Sequence, residues 1–395
     1  MLLQRRFGLV AAAFASMFTV FGVAYSFGAF FNPMAKELGS GNGATAAVFA
    51  ITAFLWFSLG AVTGPLADRI GPRRVVAAGA VFLSGGLFLT SLVHQIWLGY
   101  LTYGIGVGIG TACGYVPMVA AVGGWFERGR ALAIGIAVSG IGVGTLVVPP
   151  LSALLISAPG WRTTYVVLAA GAAVLMLAAA AAAQRPPTSS EVVPSLGAAI
   201  RTRQFGLIYL GGVLVSFGLF FAFVHLVPYA TRQGIAAVQA AWLIGVIGVG
   251  SAVARLGLAA VAERRGVLAT YKLSVVILTV SFAVWLVAPG FAGLALFALL
   301  LGLGYGGWVA LTPAVIAEIF GTRGMGGTVG VAYTAAAAGG LIGPVAGGYA
   351  VDLTGGYQVP ITASLLLAAV GLGLVATLRG GSPVHSTKSS TPPRR

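Results

Sequence analysis

The sequence predicts an all-α membrane protein whose twelve transmembrane helices form two pseudo-symmetric six-helix bundles. The first observation behind this prediction is composition: 58% of the residues are hydrophobic, only 7% are charged, and the mean hydropathy is +1.00. The second is a series of twelve apolar segments, each long enough to cross a bilayer. The third is an internal repeat at an offset of about 195 residues, in which Pro149 aligns with Pro344. A soluble protein of this length would carry far more charge.

The apolar segments follow one another with short polar interruptions, as expected for helices that cross a hydrocarbon layer of about 30 Å. The first begins after Arg5 and Arg6, but it is too long for the core of a signal peptide and more spans follow it. We therefore predict that it is an uncleaved helix. The predicted limits of the twelve helices are 7–31, 44–67, 72–92, 96–123, 131–156, 161–183, 205–230, 236–262, 268–287, 291–319, 325–351 and 355–378.

One long polar stretch, residues 184–204, divides the chain. Its Pro, Ser and Arg content is typical of a linker. We therefore predict an N-terminal bundle over residues 1–183, a cytoplasmic linker, and a C-terminal bundle over residues 205–378. The last residues, 379–395, are polar, basic and rich in Pro and Ser, which predicts a disordered cytoplasmic tail.

The positions of the cations predict the orientation of the chain. The net charge of +15 does not indicate nucleic-acid binding, because the cations lie in short loops between apolar segments. With the N-terminus in the cytoplasm, 18 of the 22 Lys and Arg residues fall on the inner side. Lys36, Arg162 and Arg232 fall on the outer side, and Arg255 lies within the membrane. The positive-inside rule thus predicts a multi-pass protein of the inner (plasma) membrane with both termini cytoplasmic.

A cluster of charges follows the second apolar segment. The stretch Gly64 to Arg74 reads GPLADRIGPRR, and its acidic–basic pair has a counterpart at Glu263–Arg264 in the second half. This stretch resembles the signature loop of the major facilitator superfamily. The resemblance implies the major facilitator fold, in which two bundles rock around a central site. It also implies a cytoplasmic gate, for which the candidates are Asp68, Arg69, Arg128, Arg130, Glu263, Arg264 and Glu318.

Two further stretches resemble a narrower group. Residues Trp125 to Gly144 (WFERGRALAIGIAVSGIGVG) are similar to the fifth-helix signature of the monocarboxylate porters. Residues Tyr25 to Gly39 (YSFGAFFNPMAKELG) are similar to the first helix of those porters and of their oxalate–formate exchanging relatives. The superfamily resemblance covers the whole chain, whereas the narrower one rests on these two stretches and on Arg255.

Arg255 is the only cation at membrane depth in the sequence. A charge at the centre of a spanning helix costs about 2.5–3.5 kcal/mol on insertion scales, and arginine does not lose its proton. Arg255 must therefore face a cavity, a partner or an anionic ligand, unless its side chain snorkels to the interface. In the porters that the chain resembles, the matching arginine binds a carboxylate, which implies the same role here.

Differences in sequence from those relatives limit the range of substrates that we expect. Ser251 stands where animal members carry an acidic residue, and no lysine lies in the first helix between Arg6 and Lys36. The stretch Tyr333 to Gly343 lacks the second cation of the oxalate exchangers. Because one buried cation neutralises one carboxylate, a monocarboxylate is favoured over a dicarboxylate.

Four other polar residues are candidates for the substrate site. Tyr115, Tyr305 and Tyr333 lie at a depth comparable to that of Arg255, and each either lines the site or packs against helices or lipid. His225 is the only histidine within a predicted helix. It is either an interior histidine bonded to a carbonyl or the titrating group of a proton-coupled transporter. Its predicted depth is in the outer half of the membrane, away from Arg255.

These patterns predict a secondary active transporter of small monocarboxylates such as lactate or pyruvate, working by alternating access as a proton-coupled symporter. The alternatives are an organic-anion exchanger of the oxalate–formate type, a carrier of a larger organic acid, and a membrane sensor that does not transport. An enzyme is not expected, because the sequence has no spaced catalytic set, metal cluster or nucleotide loop. We expect a monomer whose partners are a monocarboxylate anion, a proton and the lipid bilayer, with no nucleic acid, cofactor or metal.

Overall fold

The structure, a computed structural model, describes residues 2–126, 130–185, 199–321 and 325–379. Within these ranges every regular element is helical. Twelve of the described helical segments are long and apolar enough to cross a membrane. The predicted fold class is therefore confirmed. Most of the predicted linker and nearly all of the predicted tail lie outside the described residues.

The twelve spans form two halves of six. The first span consists of two helices, Leu2–Tyr25 and Phe27–Leu38. The second to sixth spans are Asn42–Ile70, Pro72–Thr90, Ile96–Trp125, Arg130–Ile156 and Gly160–Ala182. The seventh to twelfth spans are Arg203–Arg232, Ala237–Arg265, Val267–Val287, Gly290–Phe320, Met325–Thr354 and Gln358–Ala376. Most ends lie within a few residues of the predicted limits. Where a helix is longer than predicted, as in Asn42–Ile70, it continues past its apolar core into polar residues.

The first span differs most from its prediction. It continues past residue 31 to Leu38, through Pro33, because the apolar face that contains Phe30 and Met34 stays fully buried along this extension. Its helix is interrupted at Ser26, whose Oγ donates a hydrogen bond to the carbonyl oxygen of Val23 at 2.7 Å. A serine hydroxyl that bonds the preceding turn competes with the regular helical hydrogen bonds.

The internal repeat of the sequence reappears in the packing of the two halves. A Cβ atom on Gly144 would lie 2.3 Å from the carbonyl oxygen of Phe18, so the first and fifth spans touch backbone to backbone. A Cβ atom on Gly343 would lie 2.2 Å from the carbonyl oxygen of Phe217, and the seventh and eleventh spans touch in the same way. Small residues permit such close approach of membrane helices. The equivalent spans of the two halves are thus packed alike.

The bundle has a termini face, where the first span begins and the twelfth ends, and a distal face on the other side. At the distal face the two halves are hydrogen-bonded to each other. Asn32 Nδ2 donates to Thr231 Oγ1 at 2.9 Å. The Asp352 carboxylate of the eleventh span accepts bonds from Asn42 N and Nδ2 at 2.9 and 2.6 Å and from Gly43 N at 2.9 Å. We call this last group the distal latch, because a carboxylate of one half caps the N-terminus of a helix of the other.

The two halves are also joined halfway between the two faces. The hydroxyl groups of Tyr25 and Tyr305 are 2.9 Å apart, and the Tyr25 ring is stacked on Phe223 with centroids 3.9 Å apart. The two halves are thus hydrogen-bonded to each other at this level and at the distal face. The central region is therefore closed towards the distal face, and we infer that it is reached from the termini face.

Candidate functional site

Arg255 lies on the eighth span, and its side chain is half-buried. Ser251 is one helical turn earlier, and its Oγ accepts a hydrogen bond from Arg255 Nε at 3.2 Å. Arg255 Nη2 is buried and has no hydrogen-bond partner within the described residues. No described carboxylate lies within 4.0 Å of the guanidinium. The structure thus contains a partly desolvated cation that lacks a counter-charge of its own.

The tenth span places an aromatic ring beside this cation. Cβ atoms on Gly302 and Gly306 would lie only 2.3 and 2.4 Å from carbonyl oxygens of the eighth span, so the two helices are in backbone contact. Tyr305 is therefore held against the eighth span, and the guanidinium carbon of Arg255 lies 5.7 Å from the centre of its ring. A cation at this distance from a ring face is attracted by the ring quadrupole.

Two predicted tyrosines surround the same region. Tyr115 and Tyr333 are half-buried, and both interact electrostatically with Arg255. The Tyr333 hydroxyl donates to the carbonyl oxygen of Val309 at 3.2 Å, so its ring position is fixed within the second half. The Tyr115 ring meets Phe21 edge to face at 5.2 Å. The structure therefore brings Arg255, Tyr115, Tyr305 and Tyr333 into one region.

One residue of this region was missed as a site residue by sequence reasoning. Tyr25 is fully buried at the break in the first span, and it shares a hydroxyl–hydroxyl bond with Tyr305. The signal that points to it is its position at the start of the first-helix stretch that resembles the monocarboxylate porters. Its neighbour Trp56 is buried as well, and the indole nitrogen of Trp56 has no partner among the described residues.

The fourth span supports the break in the first span. Residues Tyr100–Val107 form a π-helical turn within it. The Tyr103 hydroxyl donates to the carbonyl oxygen of Val23 at 3.2 Å, just before the break at Ser26. π-Helical turns are uncommon and often occur near functional sites. This change of helical geometry was not predicted from the sequence.

His225 is separate from the arginine site. It lies on the seventh span towards the distal face, and its Nε2 is 3.0 Å from the carbonyl oxygen of Pro344. Its ring is fully buried among aromatic side chains, including Phe31 of the first half at 5.1 Å and Phe221 at 4.8 Å. Its Nδ1 has no partner among the described residues. No direct contact joins His225 to Arg255 in the described part of the chain.

The predicted gate residues lie apart at the termini face. Asp68, Arg69, Glu263, Arg264 and Glu318 are exposed, and none of them forms an ion pair within the described residues. The backbone carbonyl of Arg69 accepts a hydrogen bond from Arg185 of the same half. Arg128 lies outside the described residues, and Arg130 is the first residue of the fifth span. The one ion pair in the described chain joins Glu37 to Arg162 near the distal face.

Within the described residues, this region offers one guanidinium and several tyrosine hydroxyls, which are groups that can bind an anion. Two repeated six-helix halves are the arrangement of many membrane transporters. Residues 12–290 match the model of the Major Facilitator Superfamily, and the chain belongs to this family.

Individual relatives show which group of the superfamily the chain resembles. Monocarboxylate transporter 11 of Homo sapiens is 29% identical over 352 residues, or 85% of this chain and 75% of that protein. Monocarboxylate transporter 3 of Mus musculus is 31% identical over 83% of this chain and 70% of that protein. The MFS transporter asaE of Aspergillus flavus is 27% identical over 84% of this chain and 77% of that protein. The chain therefore resembles the monocarboxylate transporter group.

A solved structure supports the same fold. A crystal structure of the nucleoside transporter NupG matches with a TM-score of 0.74 and 15% identity, covering 95% of this chain and 98% of that one. At this identity the match concerns the fold alone. Together with the family, it makes the chain a multi-pass membrane transporter and not an enzyme.

Proposed function

We propose that the protein transports small monocarboxylates such as lactate or pyruvate, and that Arg255 binds their carboxylate. The observation that carries this proposal is the buried Arg255 Nη2, which has no partner in the described residues while the tyrosines around it supply further donors. A desolvated cation is stabilised strongly when an anion pairs with it and poorly when it is alone. A carboxylate matches the fork geometry of a guanidinium.

The charge of the site favours one carboxylate over two. Arg255 has Ser251 Oγ as its hydrogen-bonded neighbour, and the described residues near it include no second cation. A dicarboxylate would therefore bring one uncompensated charge into a partly desolvated region, at a cost of several kcal/mol. A carrier of a larger organic acid is the second candidate, since the aromatic rings of Phe21, Tyr115 and Tyr305 give the site an apolar wall.

Transport would proceed by rocking of the two halves around the arginine site. The excess of cations at the termini face supports placing that face in the cytoplasm. The structure then represents the inward-facing state, in which the distal latch is closed. In the outward-facing state the latch and the bond between Asn32 and Thr231 must break, and the exposed gate residues such as Asp68 and Glu263 would form the inner closure.

Proton coupling is assigned to His225 in this proposal. In the closed state its ring is enclosed partly by Phe31, which belongs to the other half. Separation of the halves at the distal face would remove Phe31 and let water reach the unpartnered Nδ1. The histidine would then exchange a proton with the outer solution.

Uptake by proteoliposomes tests the role of Arg255. A panel of labelled acids, including L-lactate, pyruvate and oxalate, is offered with and without a pH gradient. Arg255→Ala should reduce uptake to background, and Arg255→Lys should remain weak, because a point charge replaces a bidentate fork. Arg379→Ala is the matched control, since Arg379 contacts the protein through its backbone N and O at the end of the twelfth span. Near-normal uptake by Arg255→Ala would refute the proposal.

A further inference from the structure

A polar cavity lies at the distal face, where the two halves meet. Its volume is about 380 Å³. Apart from Pro228, its lining is polar and comes from both halves: Asn32, Asn42, Thr231, Arg232 and Tyr357. A neighbouring cavity of similar volume shares Arg232 and Tyr357 with it. A volume of this size lies in the range of small-molecule sites.

Two acids lie near this cavity, and both accept hydrogen bonds from other residues. Glu37 is paired with Arg162 and accepts a further bond from the indole of Trp161. Asp352 is held by the three donors of the distal latch. Arg232, by contrast, forms no ion pair within the described residues. The residues that line the cavity thus include one cation, Arg232, and no carboxylate.

Tyr357 completes a pair of donors in the cavity. The guanidinium carbon of Arg232 lies 5.7 Å from the centre of the Tyr357 ring. Burial raises the pKa of Tyr357 to about 12, so its hydroxyl keeps its proton at neutral pH and can donate a hydrogen bond. A cation and a protonated hydroxyl side by side are suited to one carboxylate.

We propose that this distal cavity is a capture site for small carboxylates, separate from the Arg255 site. The inference rests on the proposed function only in the identity of the anion. A captured carboxylate takes charge-assisted hydrogen bonds from Arg232 and a neutral one from the Tyr357 hydroxyl. Asn42, which lines the cavity, also belongs to the distal latch, so the anion is held at the seam that must open for entry.

The exposure of the site to solvent determines its affinity for a carboxylate. Arg232 is exposed, so water and salt screen its charge. An affinity in the millimolar range, about 1 mM, is expected for one charge-assisted contact in an open cavity. Even a weak site of this kind raises the local concentration of anions at the seam.

Saturation-transfer NMR of the full chain in nanodiscs tests the proposal, with L-lactate, pyruvate and acetate as probes. The measurements are made in an Arg255→Ala background, which removes the central site. This background should still give a carboxylate signal, and adding Arg232→Gln should weaken the affinity about tenfold, the equivalent of one hydrogen bond to a charged group. Lys36→Gln removes the same charge from the distal face without altering the cavity lining, and should change the signal little.

The outcomes separate this inference from the proposed function. Absence of a signal in the Arg255→Ala background, or an unchanged signal after Arg232→Gln, overturns the capture site whatever the central site transports. An equal loss from Lys36→Gln also overturns it, because the effect would then come from the general field of the face. Transport by Arg255→Ala would instead overturn the proposed function and leave the capture site intact. Gel filtration of each variant confirms that the protein remains folded.

Discussion

Replacement of Asp352 by asparagine should release the distal latch and shift the protein towards the state that is open at the distal face. The carboxylate accepts three hydrogen bonds, from Asn42 N, Asn42 Nδ2 and Gly43 N. Asparagine keeps one acceptor oxygen and places an amide donor where the other oxygen stood. At least one of the three bonds is therefore lost, together with the negative charge at the N-terminus of the second span.

The size of the expected shift between the distal-closed and distal-open states follows from these contacts. A hydrogen bond to a charged group contributes about 1.5–3 kcal/mol, and a charge at a helix terminus contributes about 0.3–1 kcal/mol. Asp352 is exposed, so water recovers part of both contributions. A net loss of about 1.5 kcal/mol is expected, which changes the ratio of the two states about tenfold.

Distance measurements between spin labels give a direct readout of this ratio. Lys36 and Gln233 are exposed residues near the ends of the first and seventh spans, on opposite sides of the boundary between the two halves. Labels at these positions, in a Cys113→Ser background, should show a longer distance in the distal-open state. Asp352→Asn should raise the long-distance population about tenfold relative to the short one.

A matched control removes another carboxylate from the same face. Glu37→Gln breaks an ion pair with Arg162 that lies wholly within the first half, so it should leave the distance distribution unchanged. An unchanged distribution for Asp352→Asn, or the same change in Glu37→Gln, would refute the assignment of the latch.

Three further outcomes are expected. His225→Gln should abolish the acceleration of uptake by an inward proton gradient while substrate exchange survives; full gradient-driven accumulation by this variant would make the histidine structural. Asp68→Asn should weaken closure at the termini face and increase labelling of cysteines placed in the vestibule there, and unchanged labelling would contradict the gate. Gly343→Ala places a Cβ atom 2.2 Å from the Phe217 carbonyl oxygen and should cost about 1–3 kcal/mol. In a thermal unfolding assay its Tm should fall, whereas Gly373→Ala, which meets nothing within 4 Å, should match the parent.

Local sequence patterns were sufficient to predict the fold. Each span is recognised by its own run of apolar residues, because every backbone polar group in a membrane must be paired within its helix. The break at Ser26 and the continuation through Pro33 were not predicted. The first depends on a hydroxyl that bonds a particular carbonyl, and the second depends on which face of the extension is buried.

The candidate site was predictable in its main residue and less so in its surroundings. Arg255 is a candidate from the sequence alone, because it is a lone cation in an apolar run and a charge within the membrane costs free energy. Three tyrosines were selected by depth, and the structure places them around Arg255. Tyr25 was missed, because depth along a helix does not show which side chains face the other half.

The amino-acid sequence was enough to predict the number of spans, the arrangement of two six-helix halves and one cation within the membrane. These properties depend on hydropathy and charge along the chain, and neither requires knowledge of contacts between distant residues. The tertiary structure was needed to show that Tyr25 meets Tyr305, 280 residues away, that Asp352 caps the second span, and that His225 is enclosed by aromatic rings. These contacts cross between helices and between halves, and their geometry depends on how closely the glycine-lined spans approach one another.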